Sequence, residues 1–202
     1  LWPEAIPRTA AKAIQVYVSA LRKALGGARD VLETRGSGYV LRVAPGELDL
    51  HEFERLLASA WGEDAGARAA TLREALALWR GAPLADFEYE SFVQAESARL
   101  RELHQLAIES RIEAELELGG GPELVAELQA LVAARPLQER PRVLLMRSLY
   151  RAGRQSEALD VYREGKQLLD AELGLDPGPE LRELERAILR QDPALADTRA
   201  AE

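Results

Sequence analysis

The stretch Arg8-Thr-Ala-Ala-Lys-Ala-Ile-Gln-Val-Tyr-Val-Ser-Ala-Leu-Arg-Lys-Ala-Leu25, followed after Gly26-Gly27 by Val31-Leu-Glu-Thr-Arg-Gly-Ser-Gly-Tyr-Val-Leu-Arg-Val43, decides how this chain reads. Ile14, Val18, Leu21 and Leu25 are spaced 4, 3 and 4 apart, so a helix would carry them as one buried stripe. Lys12, Gln15, Ser19, Arg22 and Lys23 fall on the opposite side. Pro7 and Thr9 mark the start, with Thr9 placed to cap the first turn. Gly26-Gly27 ends the helix, because glycine accepts the left-handed backbone of a C-terminus. Val31–Thr34 and Tyr39–Val43 read as strands joined by a tight turn through Gly36-Ser37-Gly38. A helix polar and basic on its outer face, leading into a basic hairpin, is what a DNA-reading helix and its wing need.

Charge divides the 202 residues the same way. The whole chain carries −8, but residues 1–43 hold seven cations (Arg8, Lys12, Arg22, Lys23, Arg29, Arg35, Arg42) against Glu4, Asp30 and Glu33. That is +4 at the head and −12 over the rest, a small basic head on an acidic body. The absence of cysteine excludes disulfides, thiolate metal sites and cysteine nucleophiles. No apolar run approaches the roughly 20 residues of a membrane span, and no signal peptide opens the sequence. A soluble, cytoplasmic protein is expected, with no membrane partner. Leu1-Trp2 reads as the end of a helix, so the chain is expected to begin inside a domain.

Ala44-Pro45-Gly46 breaks the pattern, and helices are expected beyond it. Leu50 to Trp61, Arg68 to Arg80 and Phe92 to Leu118 are amphipathic stretches, the last stopped by Gly119-Gly120-Gly121. Pro122 and Pro179 each sit in Gly-Pro-Glu-Leu, a helix start with proline in the first turn and an acid at the positive end of the dipole. Gly119 and Gly153 lie 34 residues apart, the tetratricopeptide period. On that register Leu124-Val125 matches Ala158-Leu159, Leu128 matches Tyr162 and Leu131 matches Gly165. The small Ala158 and Gly165 would let the two helices approach closely. Glu74-Ala-Leu-x-x-Trp79 mirrors Glu157-Ala-Leu-x-x-Tyr162 as an earlier, looser unit, and Pro136 occupies a closing position. Each unit leaves an apolar face for its neighbour to cover. The expected domains are therefore 1–45, 46–192 and a tail over 193–202.

Enzyme chemistry finds little support. His51 and His104 lie on different helices with no ligand spacing around them, and Ser91 has no base motif beside it. No catalytic, cofactor or metal site is assigned. The glutamates from Glu96 to Glu127 alternate with arginines at helical spacing, as a solvated face would. Asp86-Phe-Glu-Tyr-Glu90 mixes aromatics with acids, and either docks a partner or covers the core. Gly36-x-Gly38 reads as a turn and not a phosphate loop, with Tyr39 packed under the wing. Arg22 and Lys23 read either as solvated charges or as phosphate contacts; Gln15 has the donor and acceptor pair that suits an adenine edge. Arg35 precedes the turn, where an arginine can enter a narrow minor groove.

Together these residues resemble a known arrangement. Leu1-Trp2, Pro7-x-Thr9-Ala10 and Gln15-Val-Tyr-Val-Ser-x-Leu-Arg22-Lys-x-Leu-Gly26 resemble the second half of an OmpR/PhoB-type winged helix, and Thr34-Arg-Gly-x-Gly-Tyr39 resembles its wing. Gly81-x-Pro-Leu-Ala-Asp86, Arg135-Pro-Leu-Gln-Glu-Arg140, Leu149-Tyr-Arg-Ala-Gly-Arg-Gln-Ser-Glu-Ala-Leu159 and Glu172-Leu-Gly-Leu-Asp-Pro-Gly-Pro-Glu-Leu181 resemble the bacterial transcriptional activator domain. In tandem they resemble the SARP-type regulators. The resemblance implies a mainly α fold: a partial winged helix with a β-hairpin wing, then a tetratricopeptide-like all-α helical-repeat domain. It implies an activator that binds double-stranded promoter DNA through Thr9, Lys12, Gln15, Ser19, Arg22, Lys23 and Arg35, contacts RNA polymerase, and is capable of forming a homodimer. The family's winged helix opens with a small sheet and a first helix not found in this sequence, and Ala20 stands where the family often has arginine. The alternative is a helical-repeat interaction or sensor module without DNA binding of its own.

Overall fold

The structure, a computed structural model, describes residues 5–87 and 89–195. The expected helix end at Leu1-Trp2 lies outside the described residues. The chain divides into two compact units, Leu1–Glu52 and Phe53–Glu202.

In the first unit, α1 (Ala10–Leu25) runs through a 3-10 turn (Gly26–Val31) into an antiparallel hairpin of β1 (Leu32–Arg35) and β2 (Gly38–Leu41). Thr34 pairs with Tyr39 and Arg35 with Gly38, so the turn is the two residues Gly36-Ser37. Gly36 takes φ +58, the backbone such a turn requires. Two expectations for α1 change. Thr9 makes no side-chain cap: its ψ of 0 continues a turn from Pro7, whereas a capping hydroxyl needs extended backbone to reach the second or third amide. Ala10 N–H donates instead to the Pro7 carbonyl at 2.9 Å. The buried side of α1 holds Ala10 and Val18 with Ile14 half-buried, while Leu21 and Leu25 are exposed. The packed side turns toward Arg22, which bonds to β1.

Among its described residues the second unit has helices and no strand: the rest of α2 (Asp49–Ala60), then α3 (Ala65–Ala77), α4 (Gln94–Glu117), α5 (Val125–Ala134), α6 (Glu139–Arg151), α7 (Gln155–Leu173) and α8 (Pro179–Leu189). Helix α3 starts three residues earlier than its periodicity suggests because Asp64 caps it, accepting from Ala67 N–H at 3.0 Å. Helix α7 stops at Gly174, which takes φ +65. Pro193–Leu195, the start of the expected tail, forms a short 3-10 turn whose Leu195 packs on the core; residues 196–202 lie outside the described residues.

Consecutive helices pack on one another: α3 on α4, α5 on α6, α6 on α7, and α8 on both α6 and α7. The 124–131 and 158–165 stretches, expected to pack near each other, both pack on α6, and Leu128 and Ala158 join the same core. A repeat register equates positions one unit apart, whereas the antiparallel partner is the next helix in sequence. Gly165 also has a different task. A Cβ there would lie 2.8 Å from Arg142 Cδ, so the glycine makes room for a buried arginine. Arg142 donates to the Pro136 carbonyl at 3.0 Å through Nη2 and to the Val161 carbonyl at 3.4 Å through Nη1.

A smaller cluster gathers Phe53, Leu56, Leu57, Leu72 and Ala107, with Trp79 edge-on to Phe53 at 5.3 Å. His104 stacks on Trp79 at 4.2 Å between ring centres. Burial, and then the nearby Arg135 charge, hold its pKa below the ordinary histidine value.

Two outcomes follow from this packing. Gly165→Ala gains up to about 1 kcal/mol of helix propensity but overpacks Arg142 at about 1–3 kcal/mol. A net loss of about 1 kcal/mol in urea denaturation is expected, and a neutral result contradicts the close approach. For His104, the depressed folded pKa means that the unfolded chain takes up a proton first. Stability therefore falls as pH drops through about 6.5. His104→Phe keeps the ring contact and removes the titration, so its unfolding free energy should gain on wild type between about pH 7 and pH 5.

Candidate nucleic-acid interface

Helix α1 shows its polar face to solvent. Lys12, Val16, Ser19 and Lys23 follow at steps of 4, 3 and 4, and Gln15 lies beside them; all five are exposed. Thr9 is exposed at the N-terminal end. Arg35 is exposed at the hairpin tip, paired across the strands with Gly38. Among the described residues, Lys12, Lys23 and Arg35 form no ion pair. Arg42 differs, since it pairs with Glu33 at 2.5 Å.

Arg22 is set apart from this face. It is half-buried, and its Nε and Nη2 donate to the Leu32 carbonyl at 2.9 and 2.6 Å. Nη2 also donates to Thr34 Oγ1 at 2.9 Å. The Tyr39 ring centre lies 5.9 Å from the guanidinium carbon, and Tyr39 is itself half-buried.

Sequence reasoning passed over Val16, which is 59% exposed in the middle of the polar face. The signal was present: Val16 is four residues from Lys12 and outside the Ile14–Val18 stripe. In the second unit it also misjudged the charges of α4. Arg99–Glu96 and Arg111–Glu115 are bonds within the helix, but Arg73–Glu115, Arg68–Glu117, Arg99–Glu54, Arg111–Glu127, Arg135–Glu102 and Arg140–Glu113 join α4 to other helices. Glu109 is buried, bonded by Gln105 at 2.7 Å. The reason is position: α4 lies against both α3 and α6. The loop before it has exposed rings at Phe87, Tyr89 and Phe92, so these do not cover the core. Phe87 and Phe92 stand 6.3 Å apart, and Asp86 and Glu90 in the same loop are exposed.

Residues 48–189 match the bacterial transcriptional activator domain, starting one residue before α2 and ending with the last residue of α8. The chain belongs to the SARP-type transcriptional regulators. Among SARP relatives, it is 44% identical to the regulatory protein AfsR of Streptomyces coelicolor over its whole length, which is 20% of that protein. It is 36% identical to the regulatory protein DnrI of Streptomyces peucetius, covering 96% of this chain and 76% of DnrI. A solved structure of Mycobacterium tuberculosis EmbR, in complex with a low-affinity phosphopeptide, superposes with a TM-score of 0.87 at 38% identity, over 96% of this chain and 53% of that one. This chain thus spans a fifth of AfsR and about half of EmbR. Both the SARP resemblance and the mainly helical fold with its small hairpin agree with these relatives.

Proposed function

We propose that this chain is the DNA-binding and activating part of a transcriptional activator, working by binding and without bond chemistry. The observation that carries the reading is the exposed face Lys12–Gln15–Val16–Ser19–Lys23 on one helix, beside a hairpin tipped by Arg35. The relatives' names as transcriptional regulators support it. Lys12, Lys23 and Thr9 suit phosphates, Gln15 an adenine edge, and Val16 a thymine methyl group. Ser19 suits base or backbone. Arg35 suits a narrow minor groove.

The body, at −12, repels DNA and is suited to meet protein. Phe87, Tyr89 and Phe92 between acids form an exposed apolar and acidic patch, the kind of surface that marks a protein contact. RNA polymerase is the partner that activation requires.

Binding is tested in the whole protein on a duplex selected from a randomised library. Lys12→Ala and Lys23→Ala should each weaken binding on all sequences and lower the salt slope by about one unit. Gln15→Ala should relax base preference at one position. If the triple variant Lys12→Ala/Lys23→Ala/Arg35→Ala binds as tightly as wild type, the body acts as an interaction module without this DNA contact.

Activation is tested with Tyr89→Ser/Phe92→Ser in a reconstituted transcription assay at matched DNA occupancy. Transcript yield should fall several-fold. Unchanged yield removes the patch from activation, and loss of self-association in sedimentation would assign it to a second protomer.

A further inference from the structure

The Arg22 guanidinium does not lie on the exposed face that the proposed DNA contact uses. It is half-buried between the last turns of α1 and the hairpin, where its planar fork meets two acceptors on β1. Nε and Nη2 share the Leu32 carbonyl, and Nη2 reaches Thr34 Oγ1. Tyr39, the cross-strand partner of Thr34, brings its ring within 5.9 Å of the same group, so both strands touch it. Backbone packing of α1 against the two strands is otherwise slight; the helix packs chiefly on the 3-10 turn. A two-stranded hairpin is marginal by itself, and its direction needs an outside tie. Arg35 follows Thr34 directly in β1, so whatever fixes Thr34 fixes the base of the tip.

We propose that Arg22 is the positioning residue of this interface: it sets the direction of the wing against the reading face of α1, and so where Arg35 arrives. This rests on the reading of α1 and the hairpin as a DNA contact. Its chemistry separates it from a phosphate-binding cation. A phosphate accepts a point charge, so lysine serves there nearly as well as arginine. The bracket needs a planar group that donates to two acceptors at once, which an ammonium group does not supply in that geometry.

The test measures affinity and salt dependence for the whole protein on the selected duplex, with Arg22→Ala, Arg22→Lys, Arg35→Ala, Lys12→Ala and the double variant Arg22→Ala/Arg35→Ala. Arg22→Ala and Arg22→Lys should weaken binding alike, by about fivefold or more. In the Arg35→Ala background, Arg22→Ala should add less than about twofold, because the contact it serves is already gone. Amide exchange over residues 32–41 should quicken in both Arg22 variants, while 65–189 keeps its wild-type protection. Should Arg22→Ala unfold the head, Thr34→Val, which removes one acceptor, is the variant to read; its smaller loss should likewise vanish beside Arg35→Ala. Rescue by lysine, multiplying losses in the double variant, or unchanged exchange in the hairpin each overturns the proposal. So does wild-type affinity in Arg35→Ala while Lys12→Ala is weakened. Wild-type affinity in both of those variants refutes the DNA reading itself.

Discussion

Helix α6 has to be buried on nearly all its sides, and the second unit is arranged around that constraint. Pro141 through Met146, Ser148 and Leu149 are all inside, in a helix that also carries four arginines. Such a helix is stable only if every polar group it takes inside finds a partner. Arg142 finds the Pro136 and Val161 carbonyls, in a gap that Gly165 leaves open. Ser148 donates to the Gly121 carbonyl, and Arg151 to the Leu116 and Gly120 carbonyls at the end of α4. Glu139, at the start of α6, accepts the Gly178 N–H at 2.7 Å and so holds the beginning of α8. The arginines that remain outside reach carboxylates: Arg140 pairs with Glu113 at 2.7 Å and Arg147 with Glu180 at 3.7 Å.

These polar ties matter more as constraints than as sources of energy. An exposed ion pair contributes about 0–1 kcal/mol, and Arg99–Glu96 and Arg99–Glu54, with both side chains exposed, are of that kind. Leaving a buried donor or acceptor without a partner costs about 1–3 kcal/mol. The carbonyls of Pro136, Gly120 and Gly121 belong to inter-helix connections, so the side chains that satisfy them also fix how each connection leaves its helix. Burial of leucine, valine and methionine supplies the driving force. The arginine and serine bonds select which helix order and spacing can receive it.

The N-terminal unit meets a different problem, since a short helix and a two-stranded hairpin bury little between them. Its organisation leans on one long side chain, Arg22 of α1, whose fork closes on β1. That leaves Lys12, Lys23 and Arg35 as outward cations in a head of net +4, while the remaining residues carry −12. At physiological salt such charges act over roughly 8 Å. Opposite net charge suits the two parts of the sequence to different partners.

Much of this was legible in the residues alone. Gly26 closes a helix because a positive φ suits glycine; the two Gly-Pro-Glu-Leu starts, the turn at Gly36-Ser37-Gly38, the 34-residue spacing and the charge split are likewise local or compositional. Lys12, Gln15, Ser19 and Lys23 share one exposed face because helical periodicity alone puts them there. Tertiary structure decided what periodicity cannot. A repeat of 3.6 residues reports one apolar face, so it understated α4, which meets several neighbours. It put Leu21 and Leu25 in a buried stripe, although burial depends on what lies opposite. It also grouped Arg22 with its neighbours, because a long side chain's partner ten residues away, across a turn, is chosen by the folded geometry and not by its place on the helix.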